Sequence, residues 1–313
     1  MKRAFVFPGQ GSQAVGMGRE LAESFGPARL VFEEVDEILK QKLSALMFEG
    51  PLDELTSTEN AQPALMAVSI AALRVLEQEG GLDLGKTAAF VAGHSLGEYS
   101  ALVAARAFTL GDAARLLKLR GQAMQRAVPK GVGAMAALLG LDFEVAREVA
   151  VEAAQGEIIA AANDNAEGQV VVSGHKAAVE RAMALAPGRG GKKAILLEVS
   201  APFHCALMAP AAKEMEAALA EVTISPPLVP VVANVTACAE TIPASIRRLL
   251  VEQVTGTVRW RESVLYMKAQ GVEQLVEIGA GKVLSGLARR IDRELQAASV
   301  QNPADIDALI KTL

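Results

Sequence analysis

Ser95 stands between two glycines in "AGHSLGEY" (92–99), directly after the small apolar run "TAAFV" (87–91). The pattern Gly-x-Ser-x-Gly at Gly93, Ser95 and Gly97 suits a nucleophile elbow, in which a buried strand ends, the chain turns sharply at the serine, and a helix begins. Small flanking residues admit the crowded backbone and leave the hydroxyl clear of the sheet. A serine hydroxyl attacks only when a positioned base takes its proton. Histidine suits that task because its pKa lies near working pH. The chain has three, His94, His175 and His204. His94 precedes the serine on the same turn, so its side chain is expected to point away and pack or hydrogen-bond beneath the elbow. His175 opens a helical segment, where a capping or exposed histidine is the plain explanation. His204, in "VSAPFHCALM" (199–208), follows an expected strand and precedes an expected helix. At the end of a strand in a parallel sheet it would face the rim that carries Ser95. His204 is therefore the candidate base.

No acid completes a triad in an obvious way. Asp112, Asp142 and Asp164 lie between Ser95 and His204, as an α/β-hydrolase order requires. All three fall at expected helix starts or turns, where capping explains them. A backbone carbonyl is the other group able to orient the imidazole. Glu98, in the first turn after the serine, reads as an acid favouring a helix N-terminus.

Elements of two periods must position these residues. Short apolar runs alternate with helical periodicity, which argues an α/β protein. Strands are expected at 3–7 and 87–93, helices at 28–39, 61–78, 97–106 and 112–127. The middle of the chain reads strand 133–140, helix 143–154, strands 157–163 and 168–174, helix 175–186 and strand 192–200. That β-α-β-β-α-β order is a ferredoxin-like unit. The expected architecture is an α/β-hydrolase-like parallel-sheet core (residues 1–128 and 200–313) with a ferredoxin-like small domain inserted at 129–199. Strands at 229–233 and 274–278 and a helix near 303–312 complete the larger part.

Composition narrows the function class. With 313 residues, 51% hydrophobic and 21% charged, the chain is that of an ordinary globular protein. A net charge of −5 gives no general attraction to nucleic acid, and no basic, aromatic-interleaved segment supplies a local one. The apolar run at the start, Ala4 to Phe7, is too short for a secretion signal. No stretch approaches the ~20 apolar residues that span a bilayer. Cys205 and Cys238 match no metal or disulfide spacing and are expected to be buried thiols. A cytoplasmic location follows as an expectation. "EIGAGKVL" (277–284) lacks both the third glycine of a dinucleotide fingerprint and the spacing of a phosphate loop, so a glycine-rich turn suffices.

Four motifs now stand in one order: "FPGQGSQ" near the N-terminus, "GHSLGE" at the serine, "RGQAMQ" at 120–125 and "APFHC" at 201–205. Together they closely resemble the malonyl-CoA:acyl-carrier-protein transacylase family, whose pattern polyketide acyltransferase domains share. The resemblance spans essentially the whole chain. It implies Ser95 as the acylated nucleophile, His204 as the base and Arg120 as the residue that binds the malonyl carboxylate. It implies backbone N–H groups of Gln10 and Leu96 as the oxyanion hole. Gln253, in "LVEQVTG", resembles the position whose main-chain carbonyl orients the histidine, on a looser local match. The implied partners are malonyl-CoA and holo acyl carrier protein, with no cofactor and no metal, and the protein is expected to act as a monomer. Two basic segments, 188–193 and Arg289–Arg290, are candidate docks for an acidic carrier protein. Open alternatives are a serine hydrolase such as a thioesterase, a loader for a polyketide-type pathway, and a non-catalytic module that kept the fold.

Overall fold

The computed structural model describes residues 1–312. Two sheets organise them. The first contains β1 (Arg3–Phe7) and β2 (Ala88–Gly93). The second is built from β3 (Gly133–Leu139), β4 (Ile159–Ala166), β5 (Gln169–His175) and β6 (Lys193–Leu196). The chain then returns to the first sheet with β7 (Val231–Val232), β8 (Ala239–Glu240), β9 (Gln274–Ile278) and β10 (Gln296–Val300).

The first sheet has the order β10-β9-β1-β2-β7-β8. All its pairs are parallel except the short β7–β8 ladder at one edge. Helices cover both faces, so its strands carry uninterrupted apolar runs: all five residues of β1 are buried. Phe7 pairs with Gly93, which brings the ends of β1 and β2 side by side. The "PGQGSQ" loop and the serine turn therefore leave the sheet together, outside the carboxyl ends of two adjacent parallel strands. Beneath them lies the helix Thr58–Gln78, apolar nearly all round and buried accordingly.

The second sheet has the order β4-β5-β3-β6, antiparallel throughout. Strand alternation splits its side chains between two cores. Ala136, Leu138, Val170 and Val172 pack with the helices Phe143–Ala154 and Lys176–Leu185. Met135, Ala137 and Val171 join the large core instead. The backbone of β4 is also stitched to the first unit: Asp164 N donates to Val258 O at 3.0 Å, and Val258 N to Ala162 O at 2.9 Å.

Several expectations change. The last strand of the second sheet stops at Leu196, because Val199 and its neighbours turn toward the site. Asp164 is not at a turn: it sits within β4, almost fully buried, and ion-pairs with Arg261 at 2.9 Å. His175 stands at the N-cap position of the helix Lys176–Leu185, as expected, but its side chain makes no capping bond; its Nδ1 accepts the Ile158 N–H at 2.9 Å instead. Cys205 is buried but Cys238 is exposed, in the turn joining β7 to β8. The "EIGAGKVL" turn serves the protein's own carboxylate, since Glu277 accepts from the N–H groups of Leu284 and Ser285 at 3.0 and 2.8 Å. No helix among the described residues is long and apolar enough to cross a membrane.

Glycine at the serine turn is a steric necessity. A Cβ on Gly93 would lie 1.9 Å from the backbone of Gly97, and one on Gly97 would lie 2.2 Å from the Phe7 carbonyl oxygen. Backbone on both sides cannot yield as a flexible side chain would. Gly97→Ala is expected to lower unfolding free energy by at least about 3 kcal/mol in denaturant titrations. Gly188→Ala, whose Cβ meets nothing within 4 Å, should stay within about 0.5 kcal/mol of the parent.

Candidate active site

Ser95 occupies the turn between β2 and the helix Gly97–Ala104, at a φ of 53°. That left-handed backbone is uncommon for a residue with a side chain and marks stored strain. The neighbours hold it there. Asn234, just past β7, accepts the Ser95 N–H at 2.8 Å and donates through Nδ2 to the Gly93 carbonyl at 2.7 Å. His94 N donates to the Phe7 carbonyl at 3.1 Å. The His94 ring turns away from the hydroxyl, as expected, and its Nε2 lies 2.8 Å from Asn165 Oδ1.

His204 meets the serine from 109 residues away: Nε2 is 2.8 Å from Ser95 Oγ. Its route differs from the expected one. The preceding strand, β6, belongs to the antiparallel second sheet and ends at Leu196. A loop carries His204 to the parallel-sheet rim, again with a left-handed φ, 58°. On the far side of the ring, Nδ1 lies 2.8 Å from the main-chain carbonyl of Gln253, in the helix Pro243–Thr255. A carbonyl can only accept, so the proton sits on Nδ1 and the Nε2 lone pair faces the hydroxyl. None of Asp112, Asp142 and Asp164 contacts His204. Asp112 sits in the first turn of Leu110–Ala127 with its N–H on Thr109 Oγ1, Asp142 precedes Phe143–Ala154, and Asp164 holds Arg261.

Burial drives the His204 pKa down to about 3, helped by the positive charge of Arg120 and opposed by the Gln253 carbonyl. The imidazole is therefore neutral at pH 7, the form that can take a proton.

Arg120 lies in the helix Leu110–Ala127 and is 1% exposed. Nη1 donates to Gln62 Oε1 at 2.8 Å, and Nη2 to Gln253 Oε1 at 2.8 Å and to Ser95 Oγ at 3.1 Å. Nε has no partner. The guanidinium sits 5.7 Å from the centre of the Tyr99 ring. Its direct acceptors are thus neutral amides and the serine hydroxyl. A buried cation whose contacts carry no full negative charge is prepared for an anion not yet present.

These groups share a cavity of about 340 Å³. Gln10 and Leu96 line it beside Ser95, Arg120 and His204. The second sheet closes the opposite wall with Met135, Asn163, Asn165 and Val171. The structure therefore brings Ser95, His204, Gln253 and Arg120 into direct contact and sets Gln10 and Leu96 on the same wall. Sequence reasoning missed Gln62, Asn234 and the amide pair Asn163 and Asn165. A weak pointer to Asn234 existed, since it follows an expected strand and so falls on a rim. As for the two basic segments, Arg189 pairs with Glu148 and Glu152, and Arg290 bonds Gln169.

Comparison with known proteins agrees with this geometry. The pattern of the acyl transferase domain family matches residues 4–303. The malonyl CoA-acyl carrier protein transacylase of Escherichia coli K12 is 48% identical over 308 residues, covering 98% of each chain. A crystal structure of the acyl-carrier-protein-S-malonyltransferase from Bartonella henselae superposes with a TM-score of 0.97 at 55% identity, covering 100% of this chain and 99% of that one. A malonyl-transacylase solved in complex with a type II polyketide acyl-carrier protein gives 0.96 at 45% identity, with 100% of both chains covered. With its serine turn, its imidazole and its buried arginine set out on that shared fold, the chain belongs to the acyl transferase domain family.

Proposed function

We propose that this enzyme moves a malonyl group from malonyl-CoA to the phosphopantetheine thiol of acyl carrier protein, supplying fatty acid synthesis. The observation that carries the reading is Arg120, a buried guanidinium 3.1 Å from Ser95 Oγ whose contacts include no carboxylate. An acyl group bonded to that oxygen and bearing a carboxylate at its far end fits such a site. A plain acyl chain would leave the cation unsatisfied. The three relatives named above, all malonyl transferases by name and one of them solved with a carrier protein, support both substrate and acceptor.

The reaction then runs in two matched halves. His204 Nε2 takes the Ser95 proton as Oγ bonds to the thioester carbonyl carbon, and the carbonyl electron pair moves onto oxygen. The Gln10 and Leu96 N–H groups are the donors for that oxyanion, each worth about 3–4 kcal/mol in comparable enzymes. The carbonyl re-forms, the carbon–sulfur bond breaks, and coenzyme A leaves with the proton from His204. Malonyl-serine remains. In the second half the carrier thiol gives its proton to His204 and attacks the ester, and Ser95 departs reprotonated. The Gln253 carbonyl holds Nδ1–H throughout, a neutral dipole in the place of a triad carboxylate.

The chemistry is complete with protein side chains, so the reading includes no cofactor and no metal. The enzyme is read as a cytoplasmic monomer, with residues 129–199 forming a small domain that walls the cavity. A thioesterase would send water to the same ester. Arg120 favours the transferase, because strong retention of a charged acyl group suits handing it on.

Brief exposure to malonyl-CoA is expected to add one malonyl mass to the intact protein, and none to Ser95→Ala. An adduct surviving in Ser95→Ala would overturn the assignment. Arg120→Ala should reduce malonyl transfer by about 10- to 100-fold more than acetyl transfer, the range for losing a charge-assisted bidentate contact. The depressed His204 pKa keeps its neutral, proton-accepting form as pH falls below 6.5. Acylation kcat/KM should therefore stay level to about pH 5; a decline centred near 6.5 would contradict that depression.

A further inference from the structure

Glu98 lies three residues beyond the nucleophile, 2% exposed, and the two half-reactions make no use of it. Its Oε2 accepts the Asn234 main-chain N–H at 3.0 Å and Gln253 Nε2 at 2.9 Å. Gln253 Nε2 also donates to the Ser95 carbonyl at 3.0 Å. Asn234 Oδ1 lies 3.4 Å from the same nitrogen, so every neighbour on that side of the amide is an acceptor oxygen and the NH2 end must face them, with Glu98 the nearest. Oε1 is then turned toward Arg120, where it accepts from Nη2 at 2.8 Å, the same nitrogen that reaches Ser95 Oγ. A flipped amide would set NH2 against a group that has only donors, and a carbonyl oxygen against three more oxygens.

We infer that Glu98 is a positioning residue for Arg120, acting through the Gln253 side-chain amide to aim the guanidinium at the acyl group's far carboxylate. The inference rests on the malonyl reading and deepens it. A carboxylate placed directly on Arg120 would consume the donors that the substrate needs. Set one amide away, it fixes the acceptor and supplies a nearby negative charge while leaving the guanidinium open. Gln253 thus has two separate duties: its main chain orients His204, and its side chain orients Arg120.

Burial pushes the Glu98 carboxyl up to about 7, against the hydrogen bonds from Asn234 and Gln253 and the Arg120 charge. Both donors fall on Oε2, so a proton on Oε1 disturbs neither. The amide orientation therefore persists in either protonation state, and a neutral acceptor of the same shape should preserve it.

Transfer from malonyl-CoA and from acetyl-CoA is to be measured in wild type, Glu98→Gln and Glu98→Leu, with kcat and KM resolved. Glu98→Leu is expected to lower the malonyl-to-acetyl ratio of kcat/KM at least about tenfold, mainly through the malonyl-CoA KM. Glu98→Gln should stay within about threefold of wild type, since an amide oxygen can accept where Oε2 does. Equal loss on both substrates in Glu98→Leu, an unchanged ratio, or a Glu98→Gln that falls as far as Glu98→Leu overturns the inference. If Glu98→Leu does not fold, Gln253→Met removes the amide and keeps the main-chain carbonyl. The same fall in ratio is expected there, and an unchanged ratio overturns the inference. A wild type that transfers no malonyl at all overturns the proposed function and this inference with it. Normal wild-type transfer with an unaltered variant ratio overturns the inference alone.

Discussion

A guanidinium removed from water without a carboxylate beside it is the constraint around which this molecule is arranged. Buried charges are ordinarily paired, because desolvation is costly. Here the cost is offset by two glutamine oxygens, a hydroxyl and an aromatic face. Those groups come from the helices Thr58–Gln78 and Pro243–Thr255, the serine turn and the helix Gly97–Ala104. Three segments distant in sequence must therefore meet the arginine's own helix before the cation is tolerable, so a selective site and a correctly assembled core are the same requirement.

The parallel sheet makes that meeting possible. Its central strands end side by side, and the loops that follow them are the ones that bear chemistry. Gly93 and Gly97 allow the serine helix to approach the backbone of β1 more closely than any side chain would permit. The second sheet contributes little to the reacting groups. Its alternating strands send one set of residues to their own helices and another to the cavity wall, which makes a lid of fixed position from an ordinary pleat.

Much of this was legible in the sequence, for identifiable reasons. Long apolar runs and helical periods gave the main elements because burial acts on many residues at once. Ser95 and His204 stood out because glycine spacing is a steric signature and histidines are few. The route of His204 was not legible: a strand followed by a loop reads the same whichever sheet it joins. Asp164 was misread because an acid near glycine suggests a turn, whereas its partner Arg261 lies 97 residues away. Asn234 lies just past the strand expected at 229–233, observed as Val231–Val232, but a rim position alone does not tell a polar residue that holds the serine turn from one that faces solvent. Glu98 looked like a helix-start acid, since nothing local reveals that Asn234 and Gln253 will close over it.

The suppressed basicity of His204 has a consequence for idle enzyme. Burial is the larger cause, and the positive charge of Arg120 adds to it. Cargo with a negative tail offsets part of that second contribution, so on arrival it nudges the imidazole toward stronger basicity, whereas an uncharged ester does not. The group that holds the cargo's tail is thereby tied electrostatically to the base that serves its head.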